Sequence, residues 1–167
     1  KPHLIAINRF LASYGRYIGV GIFIIASSTD AVDGYIARKH KLITNFGKFL
    51  DPIADKLLVT AALMALVQSG DINAWVAMLI ISREFIVTGL RLVAAGEGII
   101  IAAGKLGKLK TVCQDIAIVA ALLDNYPLSL VTSFKFDDYA MLVAVIITII
   151  SLYDYIKRNI NVINADV

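Results

Sequence analysis

Residues 30–56 read "DAVDGYIARKHKLITNFGKFLDPIADK", which sets Asp30, Asp33, Asp51 and Asp55 in a chain whose other long stretches are apolar. At about 100° per helical residue, Asp30 and Asp33 lie about 60° apart, with Gly34 and Ala37 between or beside them. Gly47, Asp51 and Asp55 follow one another at intervals of four, which makes a second single stripe. Two such stripes facing each other gather four carboxylates into one pocket. Bare carboxylates about 4 Å apart repel by roughly 4 kcal/mol per pair at an effective dielectric near 20, so positive charge must lie among them.

Ligation by carboxylate oxygens alone suits hard divalent ions, Mg²⁺ or Mn²⁺, and four aspartates match the charge of two such ions. Paired ions recur in displacement at phosphorus, where they stabilise the attacking and leaving oxygens together. Gly34, Ala37, Gly47 and Ala54 let a ligand or a neighbouring helix come close to the backbone. Arg38 stands beside the first stripe, placed to meet a phosphate. A plainer reading makes the aspartates helix ends at an interface, with Asp30 after "SST" as a cap and Pro52 in a first helical turn. It accounts for one or two of the acids and leaves two same-face pairs as coincidence.

The 167 residues amount to one domain, 59% hydrophobic and only 17% charged, with a mean hydropathy of +0.77. That balance points to a bilayer as solvent. Five apolar stretches, about Tyr14–Ala37, Phe46–Gln68, Ala74–Ala95, Leu106–Leu123 and Tyr139–Tyr155, are each near the ~20 residues a spanning helix needs. Their charges gather toward one end, where a helix can reach headgroups or a wet cavity. The expected fold is therefore all-α, a polytopic membrane bundle forming one integral-membrane domain over residues 1–167.

Cations are retained on the cytoplasmic side. Lys39, Lys41 and Lys48, then Lys105, Lys108 and Lys110, then Lys157 and Arg158, share one face if the helices alternate. The opposite loops carry Asp71, Asp124, Asp137 and Asp138, and Arg9 and Arg16 fall on their side against the rule. The net charge of +3 and pI near 9.0 fit anionic lipid better than nucleic acid, since no basic run is interleaved with aromatics. A single cysteine, Cys113, excludes an internal disulfide, and His3 and His40 lack a zinc-ligand spacing. No cleavable signal peptide is expected from "KPHLIAINRF".

Downstream, Glu84, Thr88 and Arg91 fall on one stripe of an otherwise apolar helix, with Arg83 close beside it. Ionisable residues inside a membrane face a cavity or each other, so pairing of Glu84 with an arginine leaves a second arginine over. "GKLGKLKT" then adds Lys105, Lys108 and Lys110, which a solvated positive-inside loop also explains. Together the cations outnumber Glu84, Glu97 and Asp115, which suits an anionic ligand.

The eight positions Asp30, Asp33, Gly34, Ala37, Arg38, Gly47, Asp51 and Asp55 resemble, without a gap, the signature of the CDP-alcohol phosphatidyltransferases. The resemblance spans about Gly15 to Arg158 and implies a six-helix, usually homodimeric bacterial plasma-membrane enzyme with its active site toward the cytoplasm. It implies that Asp30, Asp33, Asp51 and Asp55 hold two metal ions, and that Asp55 also serves as catalytic base. Asp30, Gly34, Ala37, Arg38 and Gly47 would contact the CDP-lipid. The arginine and lysine stretches are similar to those of members that move a phosphatidyl group from CDP-diacylglycerol to sn-glycerol 3-phosphate. That likeness makes Arg83, Thr88, Arg91, Lys105 and Lys108 the candidates for the acceptor phosphate. Family members begin with an interfacial helix and a spanning helix that "KPHLIAINRF" does not match, so a sixth, N-terminal helix is expected to be missing. Competing readings are another phosphorylated alcohol such as inositol phosphate as acceptor, a membrane cation transporter, or a soluble prenyl-transferring carboxylate enzyme.

Overall fold

The computed structural model describes residues 14–29, 45–96, 98–99, 101, 104–132 and 134–163, with side chains described except at 45–52, 55, 129 and 161–163. All regular structure among them is helical: α1 over 14–29, α2 Asn45–Ser69, α3 Ala74–Gly96, α4 Lys105–Leu122 and α5 Phe136–Ile163. A 3₁₀ turn, Leu128–Leu130, precedes α5. The five apolar stretches of the sequence thus coincide with five helices. α1, within the described residues, covers the first part of the stretch expected to reach Ala37.

Local chemistry sets the helix ends. Gly70, at φ +83°, takes the left-handed conformation after α2, so its N–H bonds Val67 O and that of Asp71 bonds Leu66 O. Asn73 then caps α3 by accepting the Trp75 N–H at 2.9 Å. Gly98, at φ +78°, ends α3 in the same way as Gly70 ends α2, with Ile99 N–H bonded to Ala94 O at 2.8 Å. Asp137 and Asp138 lie in the first turn of α5, where the helix dipole favours negative charge.

The buried face of the bundle changes character along its length. At one end Val20 and Phe23 of α1, Leu63 and Leu66 of α2, Ala77 and Ile80 of α3, Ala117, Ile118 and Ala121 of α4, and Met141 and Ala144 of α5 form an apolar core. At the other end the inward positions are Arg83, Glu84, Lys110, Gln114, Thr148 and Ser151, all buried. The switch occurs along single stripes. On α5 Met141, Ala144, Thr148, Ser151 and Tyr155 recur at three- and four-residue intervals, and on α4 Lys110, Gln114, Ala117, Ile118 and Ala121 do the same. α4 packs along α5, and α3 packs against α5 and α2.

Outward positions are apolar and exposed, among them Phe85, Leu92, Val112, Leu142, Ile146, Ile149 and Ile150. Only Phe136–Ile160, 25 residues with mean hydropathy 2.0, is both long and apolar enough among the described residues to cross a membrane. Among the described residues, Lys56–Ser69 of α2 is a shorter apolar run, α3 carries Arg83, Glu84 and Arg91 in its middle, and α4 opens on Lys105, Lys108 and Lys110.

Arg16 accounts for its own exception to the charge rule. Its guanidinium pairs with Asp71 in the α2–α3 loop and lies 3.0 Å from Asp124 Oδ2 after α4. The cation is neutralised on the acidic side.

Candidate functional site

The polar end of the bundle is organised by one carboxylate. Glu84 of α3 receives Lys110 of α4, Lys56 of α2 at 2.9 Å and its neighbour Arg83 at 3.3 Å. Three helices therefore meet on Glu84. Lys110 is only 1% exposed, Arg83 6% and Glu84 8%, so these charges have lost most of their water. Each depends on partners inside the protein. One carboxylate against three cations leaves this group of four side chains with a surplus of two positive charges; Lys56 and Lys110 have further interactions beyond it.

Arg83 is held from α5 as well, because its Nη2 donates to Ser151 Oγ at 2.8 Å. Its Nε is buried without a hydrogen-bond partner among the described residues. The same holds for Nε of Arg91, whose guanidinium carbon stands 5.5 Å from the centre of the Tyr155 ring. Two arginines thus each have a buried in-plane N–H with no partner among the described residues. Gln114 Oε1 and Thr148 Oγ1 are further buried polar atoms without a partner among the described residues.

The expected site residues divide into three groups. Glu84, Arg83 and Arg91 do converge on one side of α3, with Thr88 half-buried on the same stripe. Lys105 and Lys108 are exposed, because they lie about 140° and 160° around α4 from the buried Lys110. Lys110 takes the inward place expected of those two neighbours. Asp30, Asp33, Gly34, Ala37 and Arg38 lie outside the described residues, and of Gly47, Asp51 and Asp55 only the backbone is described. That backbone is the continuous helix α2, on which the three stand at four-residue intervals, and Lys56, next to Asp55 in the chain, reaches Glu84.

Four participants are not singled out by the sequence pattern alone. Lys56 is overshadowed by the acid beside it, and Lys110 sits among lysines that a solvated loop would explain. Ser151 and Tyr155 fall in a stretch that looks like a plain apolar span. The recurrence of buried positions at 110, 114, 117, 118 and 121 and at 141, 144, 148, 151 and 155 is the signal that marks Lys110, Ser151 and Tyr155.

At the opposite end, Arg16, Asp71, Ser69 and Asp124 form a separate polar group. Burial raises the Asp71 carboxyl, but hydrogen bonds from Arg16 and Ser69 outweigh it and hold the group below the ordinary carboxylate range.

Comparison with known proteins agrees with the motif. The CDP-alcohol phosphatidyltransferase family model matches residues 3–150. A Bacillus subtilis (strain 168) protein named CDP-diacylglycerol–glycerol-3-phosphate 3-phosphatidyltransferase is 60% identical over 141 residues, covering 84% of this chain and 72% of that protein. A Rickettsia typhi protein of the same name is 38% identical over 156 residues, 93% of this chain and 88% of its own. A Mycobacterium tuberculosis protein named probable phosphatidylglycerophosphate synthase is 40% identical, with 87% and 68% covered. With an aspartate motif matched at every position and relatives this similar across most of its length, the chain belongs to the CDP-alcohol phosphatidyltransferase family.

Proposed function

We propose that the chain transfers a phosphatidyl group from CDP-diacylglycerol to sn-glycerol 3-phosphate, giving phosphatidylglycerophosphate and CMP. The observation that carries the choice of acceptor is the buried cationic centre around Glu84, next to the helix bearing Asp51 and Asp55. An acceptor that brings its own phosphate offers anionic oxygens to Arg83 and Arg91, whose Nε–H groups have no partner among the described residues. The names of the relatives from Bacillus and Rickettsia support the same donor and acceptor.

The acceptor hydroxyl oxygen bonds to the phosphatidyl phosphorus, and the bond from that phosphorus to the CMP oxygen breaks. Asp55 takes the hydroxyl proton, a role open to a carboxylate within hydrogen-bond reach. Arg83, Thr88 and Arg91, joined by Lys110, bind and orient the acceptor phosphate, with Lys105 and Lys108 attracting it from the exposed end of α4. Asp30, Gly34, Ala37, Arg38 and Gly47 hold the CDP moiety. The donor set of Asp30, Asp33, Asp51 and Asp55 fits two Mg²⁺ or Mn²⁺ ions, all hard oxygens with two of them one turn apart on α2. When bound, such ions polarise the pyrophosphate and offset the charge of the departing CMP.

The setting that goes with this chemistry is a multi-pass homodimer in the bacterial plasma membrane, with the cationic end toward the cytoplasm. Apolar exposed faces on α3, α4 and α5 around an interior that is polar at one end support the bilayer reading. The test is acceptor-dependent release of CMP by purified protein given CDP-diacylglycerol and Mg²⁺. Release with glycerol 3-phosphate is the expected result. Turnover of inositol phosphate alone would replace the acceptor, and ion flux in liposomes without CMP release would replace the enzyme by a transporter.

A further inference from the structure

The two arginines of α3 that keep a donor in hand are both braced by α5. Ser151 Oγ accepts from Arg83 Nη2 at 2.8 Å, and the Tyr155 ring lies beneath the Arg91 guanidinium at 5.5 Å. Ser151 and Tyr155 are four residues apart, so a single face of one helix makes both contacts. Both also lie beyond residue 150, where the family match ends. Ser151 is 2% exposed and Tyr155 8%, which leaves little water to compete with either brace.

The braces also spare the edge that matters. A hydroxyl on Nη2 leaves the Arg83 Nε–H unpaired, and a ring beneath a guanidinium engages its face and not its edge, so both buried Nε–H groups are without a partner among the described residues. The Tyr155 hydroxyl has no hydrogen-bond partner among the described residues, so the ring itself makes the contact with Arg91.

We propose that Ser151 and Tyr155 are positioning residues for acceptor binding, fixing Arg83 and Arg91 so that the Nε–H of each faces the anionic oxygens of a phosphorylated alcohol. The inference rests on the acceptor reading above. An arginine that must be ordered when the acceptor arrives binds it more weakly than one already held, whereas the CDP-linked donor is indifferent to the brace.

The experiment is steady-state CMP release by the full chain, with KM measured separately for glycerol 3-phosphate and CDP-diacylglycerol. Ser151→Ala is expected to raise KM for glycerol 3-phosphate about tenfold and to leave that for the donor within about twofold. Ser151→Thr, which restores a hydroxyl, should reverse most of the loss. Tyr155→Leu should raise the acceptor KM likewise, and Tyr155→Phe, which keeps the ring, should stay well below it. The Tyr155 pair decides independently if Ser151→Ala does not yield folded protein by gel filtration. An unchanged acceptor KM in Ser151→Ala and Tyr155→Leu, or an equal loss toward both substrates, overturns the proposal. Failure of the acceptor reading itself shows earlier and separately, as absence of glycerol 3-phosphate-dependent CMP release by the unaltered protein.

Discussion

Glu84→Gln keeps the shape of the side chain and removes the carboxylate on which α2, α3 and α4 meet. The Lys56 contact at 2.9 Å and the Arg83 contact at 3.3 Å are each worth about 5 to 6 kcal/mol of gross attraction at an effective dielectric of 20. Desolvation cancels a large part of this in the intact protein. Once the acid is gone its partners stay buried without it, and the expected loss is about 3–5 kcal/mol. Against a total stability of roughly 5–15 kcal/mol, that is a large fraction. Thermal or denaturant unfolding in detergent, compared between the two proteins, measures it. Adding Lys110→Met to Glu84→Gln should recover part of the stability, because a buried cation is then removed along with its acid. A Glu84→Gln protein within about 0.5 kcal/mol of the unaltered one, the range of an ordinary surface change, would refute the desolvated-cluster reasoning.

Other outcomes follow from the same geometry. Asp33→Asn or Asp51→Asn should abolish CMP release while the protein still purifies folded, whereas loss of a mere helix cap would cost about 1 kcal/mol and leave activity in place. Because the folded Asp71 carboxyl is held below its unfolded value of about 3.9, its ion pair with Arg16 stabilises the protein above that pH. That contribution is lost as pH falls through the folded value, so Arg16→Met should flatten the dependence of melting temperature on pH below the unfolded carboxylate value. Gly70→Ala meets no neighbouring atom within 4 Å but must hold φ near +83°, which should cost about 1 kcal/mol in an unfolding titration. Lys110→Met should reduce acceptor-dependent turnover more than Lys108→Met, since only Lys110 is buried against Glu84.

The helices were legible because burial and hydropathy share a period, and the breaks at Gly70 and Gly98 carry their own conformational mark. The aspartate motif was read from spacing alone: four acids at three- and four-residue intervals would share helix faces, and an apolar chain tolerates such a gathering only where cations offset it. The acceptor side was harder, since a lysine beside a membrane has an innocent reading. Lys105, Lys108 and Lys110 look alike in composition, and only the packing of α4 on α5 turns Lys110 inward. Arg16 looked misplaced for the converse reason. Its partners Asp71 and Asp124 are 55 and 108 residues away in the chain and become neighbours only once the bundle closes.

That tie has a mechanical consequence. One guanidinium is shared by acids on two different loops, so the start of α1 and the α2–α3 and α4–α5 hairpin tips are stapled together at one rim. None of the three can swing outward without stripping a counterion from its mate. Opening of the bundle at this rim therefore carries a cost of about 0–1 kcal/mol per pair, which added salt lowers.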